Sequence, residues 1–220
     1  MEFTIFGVFK PTTMETDNND RRWIVVRIDG KTAAISTDYK LLAEIAARIS
    51  AGERKTKPVF ERITAEAVSF EEVWNLRSSI RWDDLMLFGT DFQKRVWRKL
   101  WELTHGENKE EAGSDTARLI CYSDFAELCQ NRAGVRAVAH AISLNPISVI
   151  IPCHLVIPKE SIDKIREIMR KAESTIFKGD DLCLSSILKD KAIDFGEYAL
   201  GRRLKRELIQ MELSPGNVAL

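Results

Sequence analysis

The stretch that most constrains this chain is Asn145 to Val156, which reads N-P-I-S-V-I-I-P-C-H-L-V. Ile147 to Ile151 is apolar and rich in β-branched residues, the pattern of a short buried strand. Pro152 closes it, because proline has no N–H to continue a ladder. Cys153 and His154 follow at once, so a thiol and an imidazole arrive together at one point of the fold. A thiolate is the reactive form of cysteine, and a neighbouring histidine is a usual means of making one. A buried inert cysteine beside a hydrogen-bonded histidine fits the same pair, since buried structural cysteines are common. The two residues alone leave both readings open.

Composition narrows the classes. At 220 residues and 45% hydrophobic, the chain can hold one large domain or two small ones, with a real core. It has no apolar run of about 18 residues, so no transmembrane helix and no membrane partner are expected. The opening Met-Glu-Phe-Thr lacks the basic segment and apolar stretch of a signal peptide. Cys121, Cys129, Cys153 and Cys183 match neither a disulfide framework nor a CxxC pair. They read as reduced thiols, hence an intracellular location, cytoplasmic or, in a eukaryote, nuclear. His105, His140 and His154 stand too far apart for a zinc site, so no metal is expected. A formal net charge of zero argues against strong nonspecific nucleic-acid binding but leaves room for a local contact surface.

Residues 1 to about 85 read as an α/β domain. Trp23 to Ile28 is strand-like, Asp29-Gly30 signals a tight hairpin, and Thr32 to Ser36 returns. Tyr39 to Ser50 has helical periodicity, Val59 to Ala65 suggests another strand, and Phe70 to Arg77 a short helix. No chemical motif stands out in this half. A second domain is expected over 89–220. Thr90 suits a helix N-cap, with Gln93 completing a capping box, and Phe92, Val96, Leu100 and Leu103 follow at helical spacing, flanked by Trp97 and Trp101. Gly106 to Thr116 reads as a solvated loop.

From Tyr122 the pattern becomes two helices with a tight break. Ser123 is the expected cap of a helix bearing Phe125, Leu128 and Cys129, and Asn131 to Gly134 interrupts it. The next helix has Val135, Val138, Ala139 and Ile142 as its core stripe, with Ala133, Arg136, Ala137 and His140 on the other face. A small, basic outer face on the second helix makes a helix-turn-helix candidate, although simple packing also produces such pairs. Residues 159–196 read as a helical insertion, with Ile162, Ile165, Ile168 and Met169 along one face of Ser161 to Ala172 and Asp180 or Asp181 capping a second helix. The last helix, Gly201 to Leu213, carries Leu204, Leu208 and Met211, and Glu212 lies in line with them. A carboxylate on that face needs a partner: an Arg or Lys, or His154, whose tautomer it would then set.

Taken together, these residues resemble the O6-alkylguanine-DNA alkyltransferases, the methylated-DNA–protein-cysteine methyltransferases. The specific part is R-A-V-A-H-A-I-S-L-N-P-I-S-V-I-I-P-C-H-L-V, Arg136 to Val156, with its Arg-Ala-Val, Asn-Pro and Ile-Pro-Cys-His. G-T-D-F-Q-K-R-V-W at 89–97, Gly106-Glu107, Tyr122, and a closing segment with Lys205 and Glu212 in register add to it. The match spans Gly89 to Glu212 apart from insertions at Asn108 to Thr116 and between Pro158 and Tyr198. Leu155 stands where the family usually has arginine, Ala199 where a hydroxyl residue is common, and Val135 where the usual residue is smaller.

The resemblance implies an α/β, ribonuclease-H-like N-terminal domain and a mostly helical C-terminal domain with a helix-turn-helix and a short active-site strand. It implies a monomer that binds double-stranded DNA containing O6-alkylguanine through the minor groove, against Ala137 and Ala139. Arg136 would enter the duplex in place of the extruded base, since the alkylated O6 is out of reach inside the stack. Tyr122, Val156, Tyr198 and Ala199 would contact the flipped guanine. Cys153 would take the alkyl group irreversibly, His154 oriented by Glu212 would relay the proton, and Asn145 would stiffen the turn. No cofactor is implied. A lesion-recognition protein that does not transfer, or a DNA-binding regulator, are the alternatives.

Overall fold

Isoleucine, valine and tryptophan favour extended backbone, and Trp23–Ile28 forms strand β1. Asp29 and Gly30 take φ of 49° and 81°, the left-handed pair that an Asp-Gly hairpin turn requires. The chain returns as β2 (Lys31–Ser36), antiparallel to β1 with a register irregularity at Val26/Arg27. β3 (Ile63–Val68) pairs antiparallel with the other edge of β1, so the sheet order is β2-β1-β3. A computed structural model supplies this structure and describes residues 22–38, 42, 63–105, 119–175 (of 169–175 the backbone alone) and 193–212. The helix expected over Tyr39 to Ser50, the loop expected over Gly106 to Thr116 and the helix expected after Asp180 lie outside the described residues, apart from Leu42.

The chain divides into two units, Met1–Thr90 with Pro146–Ile150, and Asp91–Asn145 with Ile151–Leu220. In the first, Ile24, Val26, Ile28, Ala33 and Ala34 form the core, joined by Leu42, Ile63, Ala65, Met86 and Phe88. Helix α1 (Phe70–Ser79) begins with a capping box in which the Ser69 hydroxyl accepts from Glu72 N–H and the Glu72 carboxylate accepts from Ser69 N–H.

The run before the cysteine departs from expectation. Ile147 to Ile151 is fully buried but is not a strand. Only Ile147 makes a bridge, parallel to Ile35 of β2, with Ile35 N–H donating to Pro146 O at 2.9 Å and Ser148 N–H to Ile35 O at 3.1 Å. The chain then turns, because Val149 adopts φ of 72°, a left-handed conformation that ends any ladder. A β-branched residue there is strained, at an order of 1–3 kcal/mol.

The second unit is mostly helical. α2 (Asp91–His105) begins directly after Thr90. Its buried face is Val96, Trp97, Leu100, Trp101 and Thr104, with the two indoles inside rather than flanking. Trp97 can be buried because its Nε1–H donates to Ala141 O at 2.8 Å. β4 (Ile120–Cys121) leads into α3 (Tyr122–Leu128), whose N-cap is Cys121 and not Ser123. Ser123 sits in the first turn, its hydroxyl 3.0 Å from Cys121 Sγ. Leu128, at the end of this helix, is 49% exposed. A 3₁₀ turn (Arg132–Gly134) separates α3 from α4 (Val135–Ser143), completing the helix pair.

A second 3₁₀ turn, Cys153–Leu155, precedes β5 (Val156–Ile157), which pairs parallel with β4. The insertion opens with α5 (Lys159–Thr175). Ile162 and Ile165 of α5 join Leu119, Cys121, Leu155, Ile157, Ile193, Phe195 and Ile209 in one apolar cluster, so the insertion contributes to the core through one face of this helix. The final helix is α6 (Arg202–Glu212). No helix among the described residues is long and apolar enough to cross a membrane.

Replacing Trp97 by Phe should destabilise the second unit by about 1–3 kcal/mol, since it removes a buried hydrogen bond and leaves packing volume unfilled. A lower urea midpoint at unchanged m-value would show this; an unchanged midpoint would refute it.

Candidate active site

Asn145, 3% exposed, closes the turn that presents the thiol. Its Nδ2 donates to Ile151 O at 2.8 Å and to Cys153 Sγ at 3.1 Å. One amide therefore fixes the backbone before the cysteine and touches the sulfur itself. Pro152 and the Cys153–Leu155 turn then aim the thiol, with Cys153 only 7% exposed.

Burial pushes the Cys153 thiol above its ordinary range. The Asn145 hydrogen bond, the positive charge of Lys205 and the Tyr198 side chain act in the opposite direction, toward the thiolate. Tyr122 is close enough that burial first, and negative charge on Cys153 second, raise its phenol. Burial likewise pushes Cys129 up, to about 11, with the charge of Lys99 acting in the opposite direction.

His154 is fully buried, and its Nε2 lies 2.9 Å from Glu212 Oε1, a carboxylate that is itself 2% exposed. An ionised carboxylate can only accept, so Nε2 carries the hydrogen and Nδ1 of the neutral ring is the acceptor. The carboxylate of Glu212, aligned with the apolar stripe of the last helix, thus meets His154.

The remaining predicted residues separate into two places. Tyr122, Val156 and Tyr198 lie by the thiol: Lys205 Nζ is 5.9 Å from the Tyr122 ring centre and donates to Val156 O at 2.8 Å, and Tyr198 acts on Cys153. Ala199, next to Tyr198, is exposed in the turn before α6. Arg136, Ala137 and His140 are exposed on α4, and Ala133 is exposed in the 3₁₀ turn before it, while Ala139 is half-buried and Val138, Ala141 and Ile142 face inward. The helix therefore offers a small-residue surface with one guanidinium near its start.

Lys205 lies beside Tyr122 and Val156 as well. It is 1% exposed, and it donates to Glu197 O at 3.3 Å as well as to Val156 O. A signal for it existed: Lys205, Leu208, Ile209 and Glu212 are spaced i, i+3, i+4 and i+7, so the lysine shares the inward face of α6. Leu155, where the resemblance leads one to expect arginine, is fully buried in the cluster with Ile162 and Ile165 of α5. An apolar residue suits a site backed by the apolar face of an inserted helix.

Residues 91–173 match the family described as 6-O-methylguanine DNA methyltransferase, DNA binding domain. A probable methylated-DNA–protein-cysteine methyltransferase of Acanthamoeba polyphaga mimivirus is 41% identical over 78 residues, 36% of this chain and 45% of that protein. The inducible methylated-DNA–protein-cysteine methyltransferase of Bacillus subtilis is 41% identical over 71 residues, 32% of this chain and 34% of that protein. The chain thus matches less than half the length of these curated relatives. Among solved structures, the O6-methylguanine-DNA methyltransferase of Pyrococcus kodakaraensis covers 90% of this chain and 95% of its own at 19% identity, with a TM-score of 0.47.

Asn145→Ala should cost about 1–3 kcal/mol, by leaving the buried Ile151 carbonyl without this donor, and should move Cys153 ionisation to higher pH. Urea unfolding and the pH dependence of Cys153 carbamidomethylation read the two effects. An unshifted alkylation profile would show that the amide does not act on the sulfur.

Proposed function

We propose that this chain, whose residues 91–173 belong to the 6-O-methylguanine DNA methyltransferase family of DNA-binding domains, repairs DNA by moving the alkyl group of O6-alkylguanine onto its own Cys153. The observation that carries the reading is the joint geometry of Asn145 on the Cys153 sulfur and Glu212 on the adjacent His154. An inert structural cysteine needs neither a donor on its sulfur nor a buried carboxylate orienting its neighbour.

The chemistry balances without a further reactant. The Cys153 sulfur lone pair forms an S–C bond to the alkyl carbon as the C–O6 bond breaks. The electron pair goes to O6 and the purine, which takes up a proton. The thiol proton leaves toward Nδ1 of His154 through water, while Glu212 stabilises the ring as it gains charge. The sum is thiol plus alkylguanine giving thioether plus guanine. A thioether has no ready reverse path, so each molecule acts once.

Double-stranded DNA is the partner in this reading, approached from the minor groove by α4. Exposed Ala137 and half-buried Ala139 support close backbone approach, and exposed Arg136 supports a role in filling the gap left by the flipped base. The carbonyls of Cys153 and Val156 accept from the guanine amine, Tyr122 contacts the ring, and the Tyr198–Ala199 backbone faces O6. The protein acts as a monomer inside the cell. The antiparallel sheet and following helix of the first unit are compatible with the ribonuclease-H-like domain expected there.

Incubation with a duplex oligonucleotide containing O6-methylguanine should add one methyl group, located on Cys153 by peptide mass spectrometry. Cys153→Ala should abolish transfer and keep DNA binding. Binding without any modification of wild-type Cys153 would instead favour a lesion recogniser that does not transfer. Arg136→Ala should slow transfer from duplex at least about tenfold more than transfer from the free alkylated base, because only the duplex must be opened. Equal losses on both would exclude Arg136 from base extrusion.

A further inference from the structure

Lys205 is the one buried amine that faces the candidate site among the described residues, and the alkyl-transfer scheme above does not use it. Its position is unusual in two respects. First, it joins two separate strands of chain. Nζ donates to the carbonyl of Val156, directly after the Cys-His turn, and to the carbonyl of Glu197, directly before Tyr198. Second, its positive charge acts on the Cys153 sulfur and lies against the Tyr122 ring. A lysine almost without solvent is costly unless its three protons find acceptors or a counter-charge. Two are met by carbonyls.

The loop that Lys205 grips is tied down elsewhere. Asp194 O accepts from the Ser161 hydroxyl, Ile193 O accepts from Arg206 at 2.6 Å, Gly196 N–H donates to Asp194 Oδ1 at 2.9 Å, and Glu197 pairs with Arg202. Gly196 takes φ of 79°, and a side chain there would press on Pro158, so the loop crosses closely over the exit of β5. Lys205 is the link from this loop to the carbonyl beside the thiol.

We propose that Lys205 is a positioning residue for the reaction: it spans the two walls of the guanine pocket, Val156 and the Glu197–Tyr198 loop, and supplies the positive charge that favours the Cys153 thiolate. This rests on the alkyl-transfer reading for the identity of the pocket. The bridge from Val156 O to Glu197 O, with the amine 5.9 Å from the Tyr122 ring, does not depend on it. The charged or titratable groups facing the amine are Cys153 on the 3₁₀ turn, Tyr122 on α3, and Asp194 and Glu197 on the loop. Burial lowers Lys205 to about 8, while the negative charges of Cys153, Asp194 and Glu197 hold it up. Amine and thiol therefore titrate as a pair: whichever carries its charge favours the charge of the other.

The test compares wild type, Lys205→Met and Lys205→Arg. Cys153 carbamidomethylation by iodoacetamide is followed by peptide mass spectrometry across pH, and single-turnover methyl transfer is measured as a function of O6-methylguanine oligonucleotide concentration. Lys205→Met should slow Cys153 alkylation about tenfold near neutral pH and displace the profile upward by about one pH unit, the loss of one nearby charge. Lys205→Arg should recover the profile in part, because it keeps the charge. In methyl transfer, the Met variant should lose both maximal rate and half-saturation, the Arg variant mainly half-saturation, since its larger head changes the wall spacing. Superimposable alkylation profiles for wild type and a folded Lys205→Met would overturn the proposal.

Should the Met variant not fold, the reciprocal measurement in Cys153→Ser decides. Removing the thiolate should lower the Lys205 titration seen by NMR at its ε-carbon, and identical titrations would overturn the coupling. Absence of methyl transfer by wild type would defeat the alkyl-transfer reading alone. The iodoacetamide and NMR results would still decide the role of Lys205.

Discussion

Two buried charges on the last helix organise the second unit. Lys205 and Glu212 lie on one face of α6, and both are almost without solvent. An ion moved out of water costs several kcal/mol unless it is paired and hydrogen-bonded. Helix α6 therefore has few acceptable docking positions, and the one it takes gives Glu212 the His154 ring and Lys205 the Val156 carbonyl. Both partners lie within a few residues of Cys153. Docking the helix and assembling the site are the same event, and Leu204, Leu208 and Ile209 supply the apolar burial that accompanies it.

The turn before the thiol carries a different constraint. Asn145 and Ile151 belong to the second unit, while Pro146–Ile150 groups with the first through the bridge from Ile147 to Ile35. Within this excursion Val149 sits in a conformation that valine avoids. Such strain persists where the surroundings overdetermine the backbone. Here the Asn145 amide spans the turn to Ile151 O, and the Ser148 N–H is bonded to Ile35 O. The same amide reaches the sulfur, so the group that stiffens the loop also tunes its product.

Leu155 and α5 belong together. A side chain directly behind the Cys-His pair is buried among Ile162, Ile165, Ile157 and Phe195. An arginine there would need a counter-charge inside an apolar cluster. The inserted helix and the leucine are thus mutually consistent, and the insertion begins as core.

Sequence alone was enough to bring several candidate groups of the site into view. Cys153, His154 and Asn145 are close along the chain, and the Asp-Gly hairpin, the α4 stripe and the alignment of Glu212 follow from local rules of φ and helical period. It was not enough where distant atoms decide. The β-rich run before Pro152 became a turn because Val149 leaves the extended region after a single bridge to β2 and the Asn145 amide closes the turn onto Ile151 O. The Trp97 indole of α2 can turn inward because Ala141 offers it an acceptor forty-four positions along the chain. The role of Lys205 was illegible because a lysine on a helix is ordinarily solvated, and only the folded chain brings two carbonyls and a thiol to meet it. Short-range pattern determined where Cys153, His154, Asn145 and Glu212 fall along the chain; burial and long-range hydrogen bonds decided what each of them meets.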